Sequence, residues 1–166
     1  MNSSVKVSSD DSFFRLVNSP VRFRLFLLQK LPAAYFSGLK LLKISGTDCE
    51  VTIPFKWFTQ NPFRSTYFAC LSMAAEMSTG LLAMSNVYNR SPKVSMLVVA
   101  IEGKFYKKAV GVTQFVCKEG DLIRDTVQKA IDLSEAQSIK VLSSGYAENG
   151  EIVAEFWITW SFKARR

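Results

Sequence analysis

Hydrophobic and polar residues alternate along much of the chain, and this alternation predicts strands. Gly38–Ser45 and Asp48–Pro54 both alternate, and the Gly-Thr pair at 46–47 between them favours a β-hairpin. Two longer stretches, Val94–Tyr106 and Val110–Lys118, are rich in valine, isoleucine and phenylalanine, which is typical of strands. We therefore expect four strands in this part of the chain.

In the last third of the chain, the spacing of the apolar residues changes from strand-like to helical and then back to strand-like. Apolar residues recur at helical spacing among charges over Asp121–Gln137, which predicts a helix. Ser138–Ala147 and Glu151–Phe162 read as strands, and the Glu-Asn-Gly at 148–150 between them is a strong hairpin turn signal. The chain is thus expected to end on two antiparallel strands.

Two helices are predicted near the N-terminus. Residues 1–11 are polar and indicate a flexible tail without a signal peptide, and 12–31 read as helix in two pieces that divide at Ser19 and Pro20. The second piece, Val21–Lys30, mixes arginines with a broad apolar face. Packing on its own domain is the more common role of such a helix, and contact with a membrane surface is the alternative.

A long apolar segment over Thr66–Val87 predicts the central helix. Between Arg64 and Arg90 the only charged residue is Glu76, so a membrane span is one interpretation. The carboxylate near its centre, several hydroxyl residues and the strand-like flanks favour instead a buried helix wrapped by a curved sheet. One long helix and a largely antiparallel sheet indicate an α+β fold.

Glu76 in such a helix requires an explanation, because burying an unpaired carboxylate costs roughly several kcal/mol. One hypothesis is structural, with the carboxylate satisfied by Ser72, by Thr79 or by a distant lysine. The other is functional, with Glu76 as a catalytic base or polarising group in a pocket. The sequence leaves both open.

The amino-acid composition excludes several kinds of catalytic and metal-binding site. The 166 residues fit one domain and contain no histidine, which excludes Ser-His-Asp and Cys-His catalysis and imidazole metal sites. The three cysteines have no C-x-x-C spacing, so we expect reduced packing residues, no metal and a cytoplasmic protein. Any hydrolysis must then depend on a carboxylate, an amide or a hydroxyl.

The formal net charge of +7 suggests an anionic partner, and solubility alone is the alternative explanation. Six lysines and arginines lie between Arg90 and Lys118 against Glu102 alone. They fit either a patch that attracts a phosphate-bearing ligand or a solvated strand edge that discourages pairing. Nucleic acid is not expected, since no nucleic-acid-binding motif is present.

Residues 61–76 resemble the signature of hotdog-fold thioesterases; they read Asn-Pro-Phe-Arg-Ser-Thr-Tyr-Phe-Ala-Cys-Leu-Ser-Met-Ala-Ala-Glu. In that superfamily, asparagine opens the segment, Gly-Thr and often His-Gly-Gly follow, and a helix of small residues carries the acid. The resemblance loosely covers residues 37–163 and is greatest to a branch akin to the phenylacetate-pathway type of acyl-CoA thioesterase. It implies one hotdog domain over 1–166, with a helical segment at 12–36 and the core at 37–166.

The resemblance also implies a fold and a site. A five- or six-stranded antiparallel sheet would wrap the long helix, with N-terminal helices and an extra helix before the last two strands. Two protomers would pair to continue the sheet, giving a homodimer or a dimer of dimers with acyl-CoA between protomers. By the same resemblance, Asn61 would place the thioester or water, Glu76 would be the base or nucleophile, and Ser95 would orient water.

The backbone N–H of Phe68 or Ala69 would polarise the thioester carbonyl, and Lys107 and Lys108 would attract the phosphates of coenzyme A. This chain departs from the family pattern at the histidine and glycines, which are replaced here by Tyr67, Phe68 and Ala69. A phenylalanine side chain there can crowd a thioester. A non-catalytic acyl-CoA- or lipid-binding hotdog protein, without stable membrane insertion and without any cofactor of its own, is therefore the alternative to a thioesterase.

Overall fold

The computed structural model of the protein describes residues 11–165, with only the backbone of Asp11. The predicted tail at 1–11 therefore lies outside the described residues, apart from its last position. Five helices lie among them, with the short ones at the N-terminal side; they are α1 (Asp11–Val17), α2 (Pro20–Lys30), α3 (Pro32–Ser37), α4 (Phe68–Val87) and α5 (Gly120–Asp132).

The strands form one antiparallel sheet with the order β1-β2-β4-β5-β6-β3. They are β1 (Lys40–Ile44), β2 (Cys49–Ile53), β3 (Val94–Phe105), β4 (Thr113–Cys117), β5 (Gln137–Tyr146) and β6 (Ile152–Ala164). The long helix α4 packs across β2, β3, β4, β5 and β6, and α5 packs beside it. This is the hotdog fold that the resemblance implied, with six strands, N-terminal helices and an extra helix before the last two strands.

The predicted elements are confirmed in kind, and they differ in extent. Helix α5 ends at Asp132, five residues before the predicted Gln137, because Ser134 takes a positive φ of 53° that stops the helix. The sequence did not predict α3 as a separate helix. Pro32 begins it as the first helical residue, and Gly38 ends it with a φ of 77°.

Helix α4 is held in the sheet by burial and by two polar contacts. It is the one helix among the described residues that is long and apolar enough to cross a membrane, yet more than half of its most apolar stretch is buried inside the fold. Trp160 Nε1 of β6 donates to Thr79 Oγ1 at 2.9 Å. The hydroxyls of Ser78 and Ser143 lie 2.7 Å apart. The predicted buried helix is thus confirmed.

Gly145 of β5 marks a point of close packing, because a Cβ there would lie 2.6 and 2.7 Å from two ring carbons of the fully buried Phe115. We expect Gly145→Ala to lower the free energy of unfolding by about 1–3 kcal/mol through overpacking. Gly46→Ala is the control, since a Cβ at Gly46 meets no atom within 4 Å. Urea unfolding of both variants checks this; equal stabilities would show that Phe115 has room to move.

Candidate functional site

Asn61 organises the loop that leads into α4. Its Oδ1 accepts the backbone N–H groups of Phe63 at 2.9 Å and Ser65 at 3.3 Å. Its Nδ2 donates to Ser65 Oγ at 3.1 Å and to the carbonyl of Thr66 at 3.4 Å. The whole side-chain amide is therefore engaged within residues 61–66, and it fixes the approach to the helix.

The first turn of α4 presents free donors beside two aromatic rings. Tyr67 and Phe68 are both exposed, and their ring centroids lie 4.9 Å apart. Among the described residues, none accepts the backbone N–H of Phe68 or Ala69. Free N–H groups at a helix N-terminus carry partial positive charge, so this turn can stabilise an oxyanion.

Glu76 lies half-buried in the middle of α4, and burial alone raises the pKa of its carboxyl group. Within residues 11–165 the carboxylate has no hydrogen-bond or ion-pair partner. Every fully buried side-chain nitrogen or oxygen in that range does have a partner, so the oxygens of Glu76 are not sealed from solvent. The side chain thus combines a raised pKa with contact with water.

The partners proposed by the structural hypothesis are engaged elsewhere or absent. Thr79 Oγ1 donates to the backbone carbonyl of Glu76 at 3.0 Å and accepts from the indole of Trp160. Neither Ser72 nor any lysine of the described chain bonds to the Glu76 carboxylate. Within the described chain, the Glu76 carboxylate is therefore satisfied by none of the partners that the structural hypothesis names.

Gly80 and Trp160 shape the surroundings of Glu76, whereas the sequence predicted only close backbone approach at Gly80 and sheet packing for Trp160. A Cβ at Gly80 would lie 2.9 Å from Glu76 Oε1 and 3.3 Å from the Trp160 ring. The signal was present in the sequence, because Gly80 lies four residues after Glu76 on the same helical face. A glycine there leaves room for both the carboxylate and the indole.

Strand β3 continues the site as an apolar wall that is only partly covered. Ile101 and Phe105 pair with the buried Ile158 and Ala154 of β6, so their side chains lie on the helical face of the sheet. They are nevertheless 46% and 52% exposed. The chain's own helix therefore leaves this part of β3 open.

Ser95 lies on the other face of β3. It pairs with the exposed Lys163, donates its hydroxyl to that residue's carbonyl at 3.1 Å, and alternates with Val94 and Met96, which pack on the core. Because neighbouring side chains of a strand point to opposite faces, the structure does not bring Ser95 to Glu76.

The two predicted phosphate-attracting lysines lie just after β3 and differ in their partners. Lys107 Nζ forms an exposed ion pair with Glu151. Lys108 Nζ donates to the carbonyl of Phe63 at 3.3 Å, which places it beside the loop that Asn61 organises. Lys108 therefore has the less compensated charge and lies closer to the start of α4.

One chain does not bring all the predicted site residues together. Glu76 is the eighth residue after Phe68, which places it about 12 Å away along a helix that rises ~1.5 Å per residue. The free N–H groups at the start of α4 and the carboxylate of Glu76 are thus too far apart in one chain to act on the same carbonyl group.

Comparison of the fold with solved structures gives long, low-identity matches. A Pseudomonas aeruginosa protein described as of unknown function and a probable thioesterase aligns with a TM-score of 0.74, 19% identity, and 88% and 97% coverage of this chain and of that one. A protein of unknown function from Chlorobaculum tepidum gives 0.72, 16%, 88% and 97%. A thioesterase from Haemophilus influenzae gives 0.61, 13%, 84% and 88%. At these identities the matches show the fold, and they place the chain in the hotdog class.

The sequence matches one family profile over residues 21–162, and the chain belongs to that family, the Domain of unknown function family DUF4442. No curated protein matches this chain.

The raised pKa of Glu76 predicts a pH-dependent penalty on stability. A carboxyl group with a raised folded-state pKa holds its proton more tightly in the folded state, so its contribution to stability is lost as pH rises through that pKa. Glu76→Gln removes the titration. Its melting temperature should exceed that of the parent by a margin that grows as pH rises above 4.5, the ordinary glutamate value, and then levels off.

Thermal unfolding across this pH range, at one fixed protein concentration, checks the expectation. Glu135→Gln, at an exposed position, is the control and should follow the parent at every pH. Parallel curves for Glu76→Gln and the parent would contradict a desolvated carboxyl group at this position.

Proposed function

We propose that the protein is a homodimeric acyl-CoA thioesterase that hydrolyses its substrate with Glu76 as general base at a site between protomers. The observation that carries this proposal is the unpaired, half-buried carboxylate of Glu76 on the core helix of a hotdog fold. Stability alone gives no reason to keep such a group, because desolvation is not offset by any partner.

The edge strand β3 supports the homodimer. It is twelve residues long, lies at one end of the sheet, and exposes Leu97, Val99, Ile101 and Phe105. A long, flat, apolar edge with unpaired backbone groups is normally covered. Antiparallel pairing of β3 with the β3 of a second copy would continue the sheet and cover this edge in both protomers.

Pairing through β3 would also bring the free N–H groups at the start of one α4 toward the Glu76 carboxylate of the partner. In one chain, the start of α4 and Glu76 are about 12 Å apart along the helix axis, at a rise of ~1.5 Å per residue. Opposed helices in a two-fold dimer can bring the start of one α4 toward the middle of the other. Each of the two equivalent sites would then take its oxyanion donors from one protomer and its base from the partner.

Hydrolysis would proceed by general-base attack of water. Glu76 takes a proton from water while the water oxygen bonds to the thioester carbonyl carbon. The N–H groups of Phe68 and Ala69 stabilise the resulting oxyanion. The intermediate then breaks its C–S bond, and the thiolate leaves with the proton returned by Glu76. Asn61 acts through the loop that it orders, as a positioning residue for these donors.

The raised pKa of Glu76 suits this role, because a base is most effective when its pKa lies nearer to the working pH. Ser95 has no role in the proposed chemistry, since it lies on the opposite face of β3. Cytoplasmic localisation stays a prediction from the sequence.

A non-catalytic acyl-CoA- or lipid-binding protein is the second candidate. The observation that favours it is the exposed Phe68 ring at the start of α4, which contacts Tyr67 and occupies the space beside the free donors. A ring there can exclude the attacking water while leaving the apolar wall of β3 available to an acyl chain.

We expect Glu76→Gln to lower hydrolysis of acyl-CoA thioesters by roughly 10²–10⁴-fold, the usual contribution of a positioned general base. Binding of a non-hydrolysable acyl-CoA analogue should persist, because the amide keeps the shape of the side chain. The measurement is steady-state hydrolysis over acyl-CoA substrates of varied chain length, beside calorimetric titration with the analogue.

Glu135→Gln is the matched control and should leave both activity and binding unchanged. Full activity in Glu76→Gln would exclude the carboxylate as the base. A parent protein that binds the analogue and hydrolyses no thioester would establish the binding-protein alternative.

The homodimer predicts that charges on the β3 edge will separate the protomers. Val99→Lys with Ile101→Lys should convert a dimer into a monomer at micromolar concentration, because like charges would meet across the two-fold axis. Val110→Lys, at an exposed apolar position outside the strand, is the control. Sedimentation velocity distinguishes the species, and a parent protein that sediments as a monomer would refute the arrangement.

The two lysines after β3 should affect substrate capture more than turnover. We expect Lys107→Ala with Lys108→Ala to raise KM and weaken its salt dependence while kcat stays nearly constant. Lys108→Ala alone should account for most of the change, because Glu151 already compensates the charge of Lys107.

Lys43→Ala with Lys129→Ala changes the net charge equally at other exposed positions and serves as the control. Kinetics at low and high salt would show the difference. The same KM in all variants at low salt would mean that Lys107 and Lys108 belong to a solvated edge.

A further inference from the structure

Helix α2 has a second apolar face that the domain does not use. Phe23 and Leu27 are buried against the core, whereas Val21, Leu25 and Leu28 follow the spacing i, i+4, i+7 and are 70%, 52% and 41% exposed. This spacing places the three exposed residues in one stripe along the helix. Packing on the domain thus accounts for one side of α2 only.

Exposed apolar side chains also lie on the elements that follow α2. Helix α3 packs against α2 and against the 3₁₀ turn Trp57–Thr59. On α3, the exposed Phe36 contacts the exposed ring of Phe58 at 6.3 Å between centroids. Trp57, the residue before Phe58, is 82% exposed, the highest value among the large apolar residues described. We call these six residues the apolar face; they are Val21, Leu25, Leu28, Phe36, Trp57 and Phe58.

The charge around the apolar face has one sign. Residues 12–47 contain no aspartate or glutamate, and their six basic residues are Arg15, Arg22, Arg24, Lys30, Lys40 and Lys43. Arg22 and Lys30 are exposed on α2, and Lys56 is exposed next to Trp57. Arg24 differs, since it lies 3.8 Å over the ring of Tyr35 and donates to that residue's carbonyl. Arg22 and Lys56 therefore lie beside the apolar face, whereas Lys30 lies on the opposite side of α2, and residues 12–47 contain no acid that would offset these charges.

We propose that the apolar face is a membrane-docking surface that binds anionic phospholipid bilayers peripherally, with α2 lying in the plane of the interface. Leucine, valine and aromatic side chains would enter the boundary between headgroups and acyl chains, and Arg22 and Lys56 would contact lipid phosphates. Trp57 suits this position, because indole rings favour the membrane–water interface.

Charge complementarity selects this occupant over a second copy of the chain. Two copies that met through this face would bring their basic residues together, which disfavours association. An anionic surface instead compensates the same residues, and it accepts an apolar stripe without requiring a matching groove. Docking of this kind needs no membrane-spanning segment and is independent of the chemistry proposed for Glu76.

Vesicle flotation with the full chain tests the proposal. Vesicles that contain phosphatidylserine should carry the protein, phosphatidylcholine vesicles should carry much less, and added salt should weaken binding. Leu25→Ser with Leu28→Ser should lower the partition coefficient by roughly tenfold or more through lost apolar burial. Arg22→Ser with Lys56→Ser should lower it by roughly tenfold on anionic vesicles only.

Leu122→Ser with Leu133→Ser is the matched control, because both leucines are exposed at α5 and neither belongs to the apolar face. This variant should bind like the parent. Trp57 supplies a local readout: its emission should shift to the blue on binding, and Trp57→Phe should keep most of the binding while losing the shift.

Several results would overturn the proposal. They are no flotation of the folded parent, equal flotation of the Leu25/Leu28 variant and the Leu122/Leu133 control, or binding without any change in Trp57 emission. Concentration-dependent self-association that the Leu25/Leu28 variant abolishes, in the absence of vesicle binding, would instead assign the face to a second copy.

Discussion

The burial of α4 is the constraint on which the rest of the structure depends. This helix has too few polar groups to face water, so it is stable only where other elements cover most of its surface. Five strands and α5 provide that cover. Two side-chain contacts, Thr79 with Trp160 and Ser78 with Ser143, satisfy hydroxyls that would otherwise be buried without partners. They also fix the rotation of the helix against the sheet.

That rotation gives Glu76 its properties. The same packing that buries Ala75 and Met77 leaves Glu76 half-covered beside Gly80, where burial raises the pKa of its carboxyl group and no side chain compensates its charge. One helix cannot also cover a twelve-residue edge strand, so part of β3 remains open on the same side of the sheet. The proposed dimer would resolve both features together, because a second protomer can cover the edge and enclose the carboxylate.

Helix α2, near the N-terminus, is covered by the fold on one side only. Helix α2 contributes Phe23 and Leu27 to the core and still exposes Val21, Leu25 and Leu28, in a segment whose charged residues are all basic. Of the two roles that its sequence left open, packing on the domain is confirmed for one face. The other face has no partner within the described chain. Acyl-CoA and a phospholipid bilayer both combine an apolar chain with phosphate, so the two proposed surfaces would recognise related chemistry at separate places.

The sequence by itself determined the order and type of most elements, the buried central helix and the anomaly of Glu76, because periodicity and charge placement are local properties. It could not place Ser95, since a period of two defines two faces and only the pairing with β6 decides which face is inward. The same limit applied to β3, whose apolar residues predicted a strand but not an uncovered edge. The sequence also could not assign hydrogen-bond partners, because these depend on all the donors and acceptors that the fold brings together. Asn61 bonds within its own loop. Glu76 lacks the side-chain partners that the sequence suggested in Ser72 and Thr79.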